Sequence, residues 1–164
     1  GIWEKTRFYE GSVRVPLIIR WPRQFQSRIG EENVNLCDLF ATLCDLAGIN
    51  IPEGLDSRSL KPLLYGEPVD WKNETVSQMR ETHFMIKQDQ LKYQYYGEDI
   101  PEVLFDLAKD PGETVNFADA PEYADVLQRF RQRLCTLGHG PNADRNYTNA
   151  GYRSSCTGPG AHHA

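Results

Sequence analysis

The densest apolar run in the chain is Val15-Pro16-Leu17-Ile18-Ile19, bounded by Arg14 and Arg20. A continuous run between charges predicts a strand over 13–20, buried on both faces as inside a mostly parallel sheet. Pro16 fits an edge or bulge position, where no ladder donor is required. Such a strand needs neighbours on both sides, which predicts that the chain is a piece of a larger α/β protein. Residues 1–12 read as a loop with aromatic anchors at Trp3, Phe8 and Tyr9, and 22–33, with Pro22 and Gly30, as a second loop. Leu36, Leu39, Phe40, Leu43, Leu46 and Ala47 then fall at helical spacing. Asn35 is placed to cap this helix, with Asp38 at the capping-box position and Gly48 just past its end. The wide apolar stripe predicts a helix that covers a sheet face. A short helical turn follows over 59–64, with Leu60, Leu63 and Leu64 inward.

From about residue 71 the pattern changes. Residues 75–79, 83–87, 91–96 and 103–107 read as four short strands with modest polarity on one face, an antiparallel meander. Gln88-Asp89 is the candidate tight turn between the second and third. Alternation places Tyr93 and Tyr95 on one face and Tyr96 on the other, which favours core packing over an aromatic platform for sugars. Asp110-Pro111-Gly112-Glu113 is a turn by composition. Asp119 is the predicted cap of a last helix, with Pro121 in its first turn, Tyr123, Leu127, Phe130, Leu134 and Leu137 as its stripe, and Gly138 as its stop. The fold class is therefore α/β: a buried sheet strand plus a covering helix, then a small α+β subdomain with a four-stranded antiparallel sheet and a C-terminal helix. The divisions fall at 1–70, 71–138 and 139–164. The last stretch, rich in Gly, Asn, Ser and Pro, reads as a poorly structured tail.

Composition narrows the function classes. The chain has 164 residues, 40% apolar and 25% charged, with a net charge of −5. Such a composition is ordinary for a soluble globular protein, and the charge balance argues against nucleic acid as a partner. No apolar run approaches the ~20 residues that cross a bilayer, so no membrane span is expected. The compartment stays unknown. Cys37 and Cys44 share a face of the predicted helix about 10 Å apart along its axis, too far to bond, and read as buried small hydrophobes. Spacing leaves open whether Cys135 and Cys156 pair. No CxxC or HxxxH spacing occurs, and His162 and His163 alone do not make a metal site.

Four ordered blocks carry a resemblance. Lys5-Thr6-Arg7-Phe8-Tyr9-Glu10-Gly11-Ser12-Val13-Arg14-Val15-Pro16-Leu17-Ile18-Ile19, closing on Trp21-Pro22, resembles the sulfatase family of the alkaline phosphatase superfamily, where a YE-x-S-x-R-V-P-L-I-I-x-W-P run follows a lysine. Residues 35–48 resemble the family's DLFPTLLDLAG helix, Leu55-Asp56-Ser57-Arg58-Ser59-Leu60 its LDGRSL, and residues 104–116 its LYDLxxDPGExxNLA. The resemblance covers residues 1 to about 135. It implies that 1–70 is the C-terminal end of the catalytic α/β domain and 71–138 the small C-terminal subdomain. It implies a sulfuric ester hydrolase that releases alcohol and sulfate, by attack of a formylglycine hydrate at sulfur, with calcium or a similar divalent cation on the sulfate oxygens.

The chain lacks the motifs for that chemistry. None of its cysteines or serines starts a C/S-x-P-x-R sequence, and no Asp-Asp or Asp-His-Gly metal motif occurs. The chain alone is expected to be inactive and to bind neither cofactor. Lys5 matches the family lysine that contacts the sulfate group and the leaving oxygen, a point-charge partner for an anion. Glu4 departs from the glycine many relatives carry there. Arg80 and His83 follow the first strand of the small sheet and form a possible substrate pocket, or are simply solvated. Glu10 and Arg14 read as structural, an ion pair or a hydrogen-bonding frame for the strand, and Arg58 as a loop tie. Two other readings stay open: a non-catalytic binding or assembly module, and part of a phosphonate or phosphate ester hydrolase of the same superfamily. The apolar run also predicts that the chain self-associates through residues 13–20, or that this segment is rearranged.

Overall fold

The computed structural model describes residues 7–140. The predicted meander is present. Strands β1 (Glu74–Met79), β2 (His83–Gln88), β3 (Leu91–Tyr95) and β4 (Val103–Asp106) form one antiparallel sheet in the order β1-β2-β3-β4. The register pairs Ile86 with Val76 on one side and with Tyr93 on the other, and Tyr93 with Leu104. Period-two alternation therefore gathers Phe84, Ile86, Tyr93, Tyr95 and Leu104 on one face. That face packs on Leu127, Phe130 and Leu134 of the last helix, with the Tyr93 and Phe130 rings stacked at 5.7 Å. The three tyrosines thus divide between faces as the alternation predicts.

The helix itself starts differently from expectation. A 3-10 turn over Pro121–Tyr123 leads into the α-helix Ala124–Thr136, and no side-chain cap closes either N-terminus, so Asp119 is not the cap. Tyr123 takes over the anchoring: its hydroxyl donates to Asp106 Oδ2 at 2.6 Å. The β2–β3 turn is one residue later than predicted. Gln88 still pairs with Leu91, and Asp89 adopts φ 53°, a left-handed conformation that a short polar side chain tolerates.

Two expectations for the first half are corrected. Residues 14–20 form no strand, and none of the four strands pairs with them; Val15, Leu17 and Ile18 are exposed, Ile18 at 86%. Apolar composition favours burial but supplies no ladder partner, and Pro16 has no donor to offer one. In place of the strand's first residue there is a single helical turn, α1 (Glu10–Val13). Helix α2 (Asp38–Leu46) is present, but its predicted covering face is open: Leu36, Phe40 and Leu43 are 53–65% exposed.

The buried side of α2 is polar. Thr42 Oγ1 accepts the Leu60 N–H at 2.8 Å, and Ser57 Oγ accepts the Ala41 N–H at 3.0 Å. The structure shows half a capping box, with Asp38 Oδ2 accepting the Asn35 N–H at 2.9 Å but no cap from Asn35 itself. Cys37 is exposed rather than buried. The short turn is α3 (Lys61–Tyr65), beside fully packed Leu60.

Arg58 ties these pieces to the sheet, as its motif position predicts. Its guanidinium donates to the carbonyls of Lys72 (2.6 Å) and Glu74 (3.1 Å) and lies 4.0 Å from the Trp71 ring centre. Asn33 and Asn73 make a second tie, with the Asn33 N–H donating to Asn73 Oδ1 at 2.6 Å.

Candidate functional site

The sheet face away from the last helix carries Met85, Lys87, Lys92, Gln94 and Tyr96, and the segment before α1 lies on it. Side chains treat the Phe8 backbone as a missing strand. The Phe8 N–H donates to Tyr96 Oη (3.3 Å), Gln94 Nε2 donates to the Phe8 carbonyl (3.2 Å), and Tyr96 Oη donates to Gln94 Oε1 (2.6 Å). The Phe8 ring is buried with Met85 and Tyr96.

Two residues on, the turn of α1 aims Glu10 at two lysines. Lys92 Nζ lies 2.8 Å from one oxygen and Lys87 Nζ 3.3 Å from the other. Burial pushes the Glu10 carboxyl up, but the two ammonium groups outweigh it and hold its pKa below the ordinary value. Glu10 is thus structural, as expected, but its ion pairs are with Lys92 and Lys87 and not with Arg14. Glu113, presented by the Asp110-Pro111-Gly112-Glu113 turn at φ 56°, is the second anion on Lys92. Its Oε1 meets Lys92 without hydrogen-bond alignment, while its Oε2 accepts the Glu10 N–H at 2.6 Å. Lys92 is fully buried. This cluster is a charge-balanced frame, and it holds the segment carrying Glu10 against the sheet.

The predicted pocket residues lie at one end of this face. Arg80 occupies the β1–β2 turn in a left-handed conformation, φ 61°, with its side chain exposed. His83 opens β2, and its ring meets Tyr96 edge-on at 5.1 Å. Its Nδ1 is buried and has no hydrogen-bond partner among the described residues. Arg7, which sequence reasoning did not single out, lies 4.4 Å over the Tyr96 ring. Partial desolvation, then the charges of Arg80 and Arg7, push the His83 pKa down. Arg7 and His83 are therefore brought together around one tyrosine, and the charge of Arg80, three residues before His83, also acts on the histidine. The signal for Arg7 was only its place in the block that follows Lys5. Lys5 itself lies outside the described residues, as do Cys156, His162 and His163.

Among the described residues no group of three His, Cys, Asp or Glu side chains is placed to hold a metal ion. Thus the donor set of the described residues does not fit a calcium site. Cys37 is not an activated nucleophile: partial desolvation and the nearby Asp38 charge raise its pKa, the opposite of activation. Cys135 is disulfide-bonded, while Cys37 and Cys44 are free. A groove lined by Arg28, Glu32, Leu63, Glu67, Trp71 and Asn73 contains none of the predicted pocket residues. No helix among the described residues is long and apolar enough to cross a membrane.

Comparison with known proteins gives a consistent picture. Residues 1–139 match the family model described as N-sulphoglucosamine sulphohydrolase, C-terminal. The Delta 4,5-hexuronate-2-O-sulfatase of Bacteroides thetaiotaomicron is 33% identical over 139 residues, covering 77% of this chain and 29% of that protein. A solved 2-O GAG sulfatase superposes with a TM-score of 0.52 at 37% identity, covering 59% of this chain and 23% of that one. The phosphonate monoester hydrolase of Silicibacter pomeroyi gives 0.50 at 27% identity, with 58% and 23% covered. The chain thus spans less than a third of the length of these relatives.

Proposed function

The chain belongs to the sulfatase family, through the C-terminal region of the N-sulphoglucosamine sulphohydrolase type, and from that premise we propose that it is the C-terminal part of an enzyme hydrolysing sulfate esters to alcohol and sulfate. The match over residues 1–139 carries this reading. Its relatives are sulfatases, one of them acting on a hexuronate 2-O-sulfate by its name. The substrate proposed here is accordingly a sulfate ester, without a choice among glycan, aryl and choline esters. The nucleophile, a formylglycine, and the divalent cation are assigned to sequence outside these 164 residues, since no C/S-x-P-x-R motif is present. What this chain contributes is Lys5, a point charge beside the sulfate and the leaving oxygen, where it stabilises negative charge as it develops. Arg80 and His83 contribute the pocket wall.

The phosphonate monoester hydrolase neighbour supports a second reading within the same superfamily. A test on aryl sulfate and on aryl phosphonate, with calcium, separates the two. This chain and the full-length product are assayed side by side. Turnover is expected in the full-length protein only, and Lys5→Ala there is expected to lower kcat/KM by about 100-fold or more, the scale of losing one oxyanion donor. Activity in the short chain would overturn the reading. Activity in neither would favour a non-catalytic binding module.

A further inference from the structure

We propose that Arg7 and His83, both held on the ring of Tyr96, form with Arg80 of the adjoining β1–β2 turn an oxyanion site that takes a sulfate or carboxylate group. Four observations converge on it. Arg7 is fixed over the ring by a cation–π contact at 4.4 Å, so its fork is held in place before any ligand arrives. Arg80 is held by a turn whose backbone is left-handed at that residue. The His83 ring is braced edge-on by the same tyrosine at 5.1 Å, and its buried Nδ1 has no partner among the described residues, which is uncommon for a buried polar atom. Among the described residues, neither arginine takes part in an ion pair, whereas the lysines of the neighbouring frame are paired.

Two guanidinium charges and an imidazole that can take a proton repel one another. Desolvation first, and then that repulsion, push the His83 pKa down, and the charges that act on its ring among the described residues are the two guanidiniums. An oxyanion reverses the sign: it accepts from both guanidinium forks and favours the imidazolium, which adds a donor. Tyr96 supplies the platform and is not a titrating partner, because burial pushes its hydroxyl pKa up.

The anion chemistry stands on this geometry alone. That the anion is a group of the substrate, rather than free inorganic sulfate, rests on the sulfatase reading. The test is NMR of this 164-residue chain, following His83 while inorganic sulfate, N-acetylglucosamine 6-sulfate and unsulfated N-acetylglucosamine are each titrated through the millimolar range.

Sulfate is expected to raise the His83 pKa and shift its ring resonances. Arg7→Gln and Arg80→Asn, the latter chosen because asparagine tolerates the left-handed turn, are each expected to weaken that response about tenfold or more. Unchanged sheet resonances show that the variants fold. Tighter binding of the sulfated sugar than of inorganic sulfate supports a substrate group, and equal binding supports a general anion site. No His83 response, or one that persists in both variants, overturns the proposal, even if the full-length enzyme hydrolyses sulfate esters. A response on the short chain with an inactive full-length protein leaves the site standing and removes the sulfatase reading.

Discussion

Lys92→Met is the most discriminating single change to the frame that carries the N-terminal segment. Methionine keeps most of the lysine's length and apolar contact, so the charge is what is removed. Lys92 is fully buried, and its partners Glu113 and Glu10 are 5% and 18% exposed at the side chain. With Lys87 the cluster holds two cations and two anions. After the substitution one cation faces two carboxylates, and Glu113 has no other cation in contact among the described residues. Removing one partner of a buried pair costs about 3–5 kcal/mol. Lys87 still serves Glu10, so the expected loss is near the lower end, about 3 kcal/mol. A urea slope of ~1–3 kcal/mol per molar places the corresponding midpoint shift at roughly 1–3 M. Glu113→Gln added to Lys92→Met is expected to recover at least ~1 kcal/mol, because a neutral amide relieves the unpaired charge. The pH dependence has a definite sign. The folded pKa of Glu10 lies below its ordinary 4.5. Its contribution to stability is therefore complete above that value and is lost as pH falls through the folded pKa. The gap between wild type and Lys92→Met should narrow in the same window. A loss under ~1 kcal/mol at pH 7, or a gap that widens in acid, would refute the reasoning.

Two further outcomes follow from the rest of the structure. Arg58→Lys should cost about 1–2 kcal/mol in urea unfolding, since an ammonium cannot reproduce two carbonyl contacts and the Trp71 stack together; an unchanged midpoint would remove Arg58 as the tie between the first half and the sheet. The chain should self-associate through residues 13–20, where Val15, Leu17 and Ile18 are exposed and full burial of each side chain is worth ~1.5–3 kcal/mol. Sedimentation velocity checks this: Ile18→Glu should shift the chain toward monomer, and a wild-type monomer at high concentration would refute it.

The meander was legible because each strand alternates and ends in polar residues, so its period, faces and partners follow from local pattern. The apolar run at 15–19 carries no such information. Its hydrophobicity says that it favours burial but not against what, and with no ladder partner it takes no strand form. The same limit applies to α2, whose helical spacing was readable while the open side of its stripe was not. Lys92 lay hidden for a different reason. A lysine in the middle of Leu91-Lys92-Tyr93-Gln94-Tyr95 reads as a solvent-facing position, and only Glu10, 82 residues away, and Glu113 explain its burial. Arg80 and His83 were legible as residues after a strand. Arg7 and the shared platform Tyr96 were not, because a cation–π contact between chain segments this distant leaves no mark on local spacing.

The blocks that carry the family resemblance turn out to have a physical division of labour. Glu10 belongs to the first block and Glu113 to the last, and they meet on one buried ammonium. Asp110 of the last block accepts the N–H groups of Thr114 and Val115 at 2.6 and 2.8 Å, which shapes the turn that presents Glu113. Asn116 accepts the Leu104 N–H at 2.9 Å and donates to the Glu102 carbonyl at 3.0 Å, which joins that turn to β4. Arg58 of the LDSRSL block joins α2 to β1. These residues hold segments far apart in sequence in fixed relation, and none needs a substrate to explain it. Arg7, Arg80 and His83 differ on that point: two are cations without an ion pair among the described residues, and the third buries a nitrogen with no partner. Substitutions in the first group should therefore lower stability and leave anion affinity per folded molecule unchanged. Those in the second should do the reverse. Measuring urea midpoint and sulfate affinity on Lys92→Met and Arg80→Asn together tests this separation, and a variant that moves both quantities equally would dissolve it.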